Sequence, residues 1–144
     1  ILAPTWSVDV KNKLNIFVKK REWYQPFCPS LIAEDAKEIF EDFDGSYDKF
    51  MTMGYMSKNE IRDKILSVIH TDGSARPQMV GSENERYRIL ISQIKKNIGL
   101  GIVLNTSFNI HGDPIVCSPK DAIETQIKTK TKYMFLEDYF IQLK

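Results

Sequence analysis

Apolar and polar residues alternate in two rhythms along this 144-residue chain. Helical spacing is clearest over Asn84 to Asn97, where Tyr87, Leu90, Ile91 and Ile94 share one face and Gly99 stands where a helix stops. A second stripe, Val10, Leu14, Phe17 and Val18, predicts a helix over Val8 to Val18 capped by Ser7. Glu34 to Phe40 and Lys58 to Ile65 read as shorter helices, and Ser118-Pro119-Lys120-Asp121 opens another, with Ser118 at the cap and Pro119 in the first turn. Extended segments are predicted at Phe27 to Ile32, where Pro26 and Pro29 favour that path, and at Phe50 to Tyr55, Ser67 to His70, Ala75 to Val80, Ile102 to Leu104, Ile115 to Cys117, Tyr133 to Leu136 and Tyr139 to Leu143. Asp42 to Ser46 is a loop. Thr71-Asp72-Gly73-Ser74 is a turn that would join its flanking strands as a hairpin. Interleaved helices and strands predict an α/β or α+β sheet domain.

A chain of this length fits one domain, residues 1–144, with a core large enough to need no metal or disulfide support. The first residues, Ile1-Leu2-Ala3-Pro4, are apolar enough for an interior strand and lack an initiator methionine, so the sequence reads as part of a longer polypeptide. Twenty basic and nineteen acidic residues are scattered rather than gathered into a tail, which does not favour bulk electrostatic capture of nucleic acid. Cys28 and Cys117 lie far apart without a C-x-x-C partner and read as small buried residues. Neither a membrane span nor a signal peptide is evident, so a soluble cytoplasmic protein is expected.

The polar residues that follow Ile102-Val103-Leu104 change the picture. Asn105-Thr106-Ser107-Phe108-Asn109 places hydroxyls and amides at the end of an apolar strand, where open sheets bind ligands, although the same residue types form ordinary turns. Lys19 and Arg21, at K-x-R spacing, supply a compact charge and a forked donor suited to phosphate oxygens; Ser107 and Asn109, at S-x-N spacing, supply neutral donors. If both segments are extended, each pair shares a face. The competing reading leaves Lys19-Lys20-Arg21 solvated at a helix C-terminus. Arg76, just beyond a tight turn, is a further phosphate donor or an exposed strand residue. Asp72 and Asp113 are candidates to hold Mg²⁺ beside a nucleotide and are equally common turn residues; His70 and His111 read as structural or solvent-facing. No P-loop, G-x-G-x-x-G or G-x-S-x-G pattern occurs.

Several blocks occur together in order: Asn15, Lys19, Arg21-Glu22, Pro26-Phe27, Pro29-Ser30, then His70-x-Asp72-Gly73-Ser74-Ala75-Arg76-x-Gln78, then Asn105 to Asn109 and Gly112-Asp113-Pro114-Ile115-Val116. Over nearly the whole chain this resembles the C-terminal, YrdC-like domain of the NodU/CmcH-type O-carbamoyltransferases. The resemblance implies an open twisted mixed sheet with flanking helices. It also implies a domain that binds carbamoyl phosphate and ATP with Mg²⁺ and forms carbamoyl adenylate with release of pyrophosphate. An iron-bearing N-terminal domain of the hexokinase/actin-like superfamily would then pass the carbamoyl group to a substrate hydroxyl. Lys19, Arg21, Arg76, Ser107 and Asn109 match the family's phosphate-contacting positions; Lys19, Arg21 and Ser107 take the catalytic roles, by neutralising charge as two anions meet. Asn105, Thr106 and His70 follow as secondary candidates.

Gln25-Pro26-Phe27-Cys28-Pro29 departs from the family's common R-P-F-A-P, and an upstream G-P-R-A-L-G block is absent. On this reading the chain alone does not complete transfer. One alternative is a non-catalytic module that keeps the groove for a nucleotide, phosphate or RNA end. A weaker alternative is an interaction domain docking through Leu2 and Trp6.

Overall fold

The computed structural model describes residues Ile1–Lys144, which divide into two compact units. The first comprises Ile1–Lys11 and Pro26–Thr106, the second Asn12–Gln25 and Ser107–Lys144. The chain is α+β, with a mixed open sheet and flanking helices.

The sheet of the first unit is built from β1 (Leu2–Ala3), β2 (Cys28–Ile32), β5 (Gln78–Val80) and β6 (Ile102–Asn105), in the order β1-β6-β2-β5. β6 runs antiparallel to both β1 and β2, and β2 runs parallel to β5. All five residues of β2 are buried, which explains an apolar run rather than a strict alternation. Pro29 fits within it because pairing with β5 begins only at Ser30. The register fixes two faces. Leu31, Met79, Ile102 and Leu104 lie on one, each at most 1% exposed. Ile32, Val80 and Val103 lie on the other and pack with Ile91, Tyr87 and Ile94 of α3 (Glu85–Ile98). That helix ends on Gly99 at φ +78, where a residue without Cβ is unstrained.

Expectation and structure part at several elements. The apolar start forms a two-residue edge strand rather than an interior one. α1 covers only Val8–Lys13 and passes into a π-helical segment, Leu14–Lys19, whose extra residue per turn displaces the expected stripe. Phe17 is consequently 66% exposed, while Asn15 and Lys19 are buried. Glu34 to Phe40 resolves into a 3-10 turn, Ala33–Asp35, and α2 (Ala36–Ile39); Asn59–Lys64 is 3-10 rather than α. No strand forms over residues 50–54. The buried Asp48 carboxylate accepts backbone N–H bonds from Phe50, Thr52 and Met53 at 2.6–2.8 Å, curling the segment and leaving Phe50 82% exposed.

The expected hairpin around residues 71–74 does not form either. Residues 67–70 are turn and loop, β4 (Ser74–Ala75) pairs with β3 (Tyr55–Met56), and β5 joins the main sheet. Gly73 at φ +89 permits the turn, and Arg62 Nη2 would lie 2.7 Å from any added Cβ. Ile115 to Cys117 is irregular rather than a strand, and Cys117 is exposed, unlike Cys28.

In the second unit α4 (Pro119–Thr129) starts as anticipated, with a capping box between Ser118 and Asp121. It turns Ala122, Gln126 and Thr129 inward and leaves Ile123 and Ile127 exposed. β7 (Tyr133–Leu136) and β8 (Tyr139–Gln142), expected as strands, pair antiparallel as a C-terminal hairpin whose Tyr133, Phe135 and Phe140 rings pack together on the surface. No helix is long and apolar enough to cross a membrane.

Ile91 anchors α3 on the sheet with no exposed surface. Ile91→Ala should lower unfolding free energy by about 2–5 kcal/mol, measured by urea denaturation.

Candidate functional site

Lys19 ends the π-helical segment with its side chain turned inward, 3% exposed. Its ammonium donates to the Ser107 carbonyl at 2.5 Å and hydroxyl at 3.0 Å, and to the Asn109 Oδ1 at 2.8 Å and carbonyl at 3.3 Å. The K-x-R and S-x-N segments therefore meet, within the second unit. Ser107 Oγ donates to Asn109 Oδ1 at 2.6 Å, and Asn109 Nδ2 donates to the Asp113 carbonyl at 2.7 Å. The His111 N–H donates back to the Lys19 carbonyl at 2.8 Å. Three N–H bonds of one ammonium thus gather the backbone and side chains of residues 107–109 into a single knot.

The route to this arrangement is not the extended pairing that the spacings suggested. Lys20 adopts a left-handed conformation, φ 54, and turns the chain between Lys19 and Arg21. Asn15, fully buried and missed as a functional residue, organises the turn. Its carbonyl accepts the N–H groups of Lys20 and Arg21, and its Oδ1 accepts Arg21 Nε at 2.6 Å. Its Nδ2 donates to the carbonyls of Trp23 at 2.9 Å and Gln25 at 2.8 Å. The signal available in the sequence was its place ahead of Lys19 and Arg21 in the ordered blocks, and its buried amide is stabilised by a partner on each polar atom.

Burial, and to a smaller extent the nearby Arg21 charge, lower the Lys19 pKa to about 8. The lysine remains mainly an ammonium at neutral pH. Holding two cations together costs free energy that an anion placed beside them would relieve. The solvated-cluster reading of Lys19 is therefore overturned, while Ser107 is exposed and Arg21 half-buried.

The remaining candidates belong to the first unit. Arg76 is exposed, with Nη2 3.6 Å from Cys28 Sγ. Asn105 ends β6, and its Nδ2 donates to Ser30 Oγ at 3.1 Å and Gln78 Oε1 at 3.0 Å. Thr106 extends the β1–β6 pairing through its N–H to the Ile1 carbonyl at 3.0 Å. His70 and Asp72 serve the turn: His70 Nδ1 lies 3.1 Å from Ser74 Oγ, and Asp72 Oδ1 accepts from both Ser74 N and Oγ. No group of three or more His, Cys, Asp or Glu side chains is placed to hold a metal ion.

The model of the carbamoyltransferase C-terminus matches residues 1–143. The chain belongs to the carbamoyltransferase C-terminus family. It is 42% identical over 146 residues to Methanocaldococcus jannaschii "Uncharacterized protein MJ1058", covering all of this chain and 24% of that protein. It is 38% identical over 144 residues to nodulation protein NolNO of Sinorhizobium fredii, covering 99% of the chain and 21% of the relative. Against nodulation protein NolO of Bradyrhizobium diazoefficiens the identity is 42% over 131 residues, covering 90% and 24%. The chain spans about a quarter of the length of these curated relatives.

Asn15→Ala strips the Lys20–Arg21 turn of its amide and leaves two carbonyls without that donor. Loss of about 2–4 kcal/mol is expected in chemical denaturation, several times the cost of one ordinary hydrogen bond.

Proposed function

We propose that this chain is the part of an O-carbamoyltransferase that binds carbamoyl phosphate and ATP and forms carbamoyl adenylate. The carbamoyl group would then pass to a substrate hydroxyl on the N-terminal portion of a longer polypeptide, where the iron expected of the family would reside. The observation that carries this reading is the buried Lys19 ammonium held beside Arg21 and tied to Ser107 and Asn109. It supports a preorganised positive site for phosphate oxygens. Overall, carbamoyl phosphate, ATP and water become carbamoyl adenylate, pyrophosphate and orthophosphate. Water cleaves carbamoyl phosphate to carbamate and orthophosphate; a carbamate oxygen then bonds to the α-phosphorus as the bond from that phosphorus to the β-phosphate oxygen breaks and pyrophosphate leaves.

Lys19 neutralises charge from within the knot, and Arg21 offers a planar donor for phosphate oxygens. Ser107 can redirect its hydroxyl from Asn109 to an incoming oxygen, because a hydroxyl hydrogen rotates freely. Asn109 is the further contact of the second unit on this reading; Arg76, Asn105 and Thr106 are ligand contacts that the family resemblance implies for the first unit taken by itself. Mg²⁺ would arrive on the nucleotide's phosphates and supply further neutralisation of their charge. One observation favours a non-catalytic binding module instead: the ammonium of Lys19 is already engaged by four oxygens of its own chain. ATP–pyrophosphate exchange dependent on carbamoyl phosphate separates the two readings.

Thermal unfolding with carbamoyl phosphate, ATP–Mg²⁺ or plain phosphate should show a stabilisation of about 2.7 kcal/mol at roughly one hundred times the dissociation constant. Lys19→Ala and Ser107→Ala should abolish it for carbamoyl phosphate and ATP. A shift that persists in both variants would remove the site from these residues.

A bound anion raises the Lys19 pKa back from about 8. Binding between about pH 8 and 10 should therefore take up a proton, and affinity should fall as pH rises through this range. Calorimetry in two buffers of different ionisation heat measures the uptake; Lys19→Met should eliminate it.

A further inference from the structure

The face of the main sheet that carries α3 is apolar at one end only. In the register, Ser30 lies opposite Gln78 and Val103, and Asn105 lies opposite Cys28, so Cys28, Ser30, Gln78 and Asn105 continue the face that begins with Ile32, Val80 and Val103. Three strands each contribute one uncharged polar side chain there. Ser30 Oγ, wholly buried, donates to Gln78 Oε1 at 2.7 Å and accepts from Asn105 Nδ2 at 3.1 Å. Asn105 Nδ2 also donates to Gln78 Oε1 at 3.0 Å.

This closed triangle consumes the oxygen of Gln78 and the nitrogen of Asn105. Left over, on two half-buried residues, are the Gln78 Nε2 donors and the Asn105 Oδ1 acceptor. Reversing both amides gives the same result, one NH₂ and one carbonyl oxygen unspent, because Ser30 can donate or accept on either side. Gln78 and Asn105 flank β2 from either side, and the 3.0 Å contact between their amides across Ser30 keeps the two unspent groups close enough to address one small planar group. Tyr87 of α3 brings its buried hydroxyl beside Ser30, just outside ideal hydrogen-bond geometry. An unspent donor and acceptor side by side complement a group that itself presents an acceptor and an NH₂.

We propose that Gln78 and Asn105, keyed by Ser30, form a recognition edge for a planar H₂N–C=O or H₂N–C=N group, the chemistry shared by a carbamoyl group and the amino edge of adenine. Its choice of ligand rests on the carbamoyltransferase reading, and it concerns the first unit alone. Ser30 is a positioning residue here, holding the two amides in complementary orientation.

Two pairs of uncharged probes test it on the intact 144-residue chain by amide chemical-shift titration. Adenosine is set against inosine, which exchanges the NH₂ for a carbonyl; methyl carbamate is set against methyl acetate, which lacks the NH₂. A preference of about tenfold for the NH₂-bearing member of at least one pair is expected, roughly the value of one well-made hydrogen bond. The pair that discriminates identifies the base or the carbamoyl group as the source. Gln78→Glu turns the unspent donor into an acceptor, and Asn105→Leu removes the unspent acceptor; each should erase the preference. If one variant fails to fold, the other and the wild-type comparison decide. An equal response to both members of both pairs, including no response, overturns the proposal, as does a preference unchanged in a folded variant. Because no probe carries phosphate, failure of carbamoyl phosphate and ATP to stabilise the chain would count against the anion site alone.

Discussion

A single buried ammonium organises the second unit. Lys19 lies 88 residues before Ser107 in sequence, yet its nitrogen reaches both oxygens of that residue and both of Asn109. Taking a charge out of water is costly, and the chain offsets that cost with oxygen dipoles aimed at one point. The arrangement cannot relax locally: removing the charge would leave four oxygens facing an empty centre, and removing the oxygens would strand the charge.

The knot needs a turn that delivers Lys19 and Arg21 from the same short segment, and Asn15 supplies it. A regular α-helix closes each turn after 3.6 residues and would carry the Val10–Leu14–Phe17–Val18 stripe inward. The wider π-helical turn instead places Asn15 and Lys19 on the buried side. Such widened turns lose hydrogen-bond quality, and they persist where other contacts compensate. Here the compensating contacts are the complete use of the Asn15 amide and the burial of Lys19.

The sheet of the first unit solves a different problem. One of its faces is uniformly apolar, whereas the other changes from Ile32, Val80 and Val103 beneath α3 to Ser30, Gln78 and Asn105 beyond them. A buried serine between two amides is tolerated because the three side chains satisfy one another. The cost of that internal pairing is low, and the amides keep part of their hydrogen-bonding capacity.

Local residue chemistry was enough to locate α3 with its Gly99 stop, the Ser118 cap, the two C-terminal strands and the strand at Ile102, because periodicity, caps and turns act over a few residues. It also singled out Lys19, Ser107 and Asn109, which folding brings into contact, and the ordered blocks pointed to the carbamoyltransferase family. Tertiary structure alone decided that Lys19 is buried, that Asn15 holds Arg21, that Asp48 curls residues 50–53, and that β4 and β5 join different sheets. Those outcomes depend on which distant oxygen, N–H group or strand edge completes each polar group. Spacing along a chain cannot reveal such a partner, because the partner lies tens of residues away and is brought near only by folding.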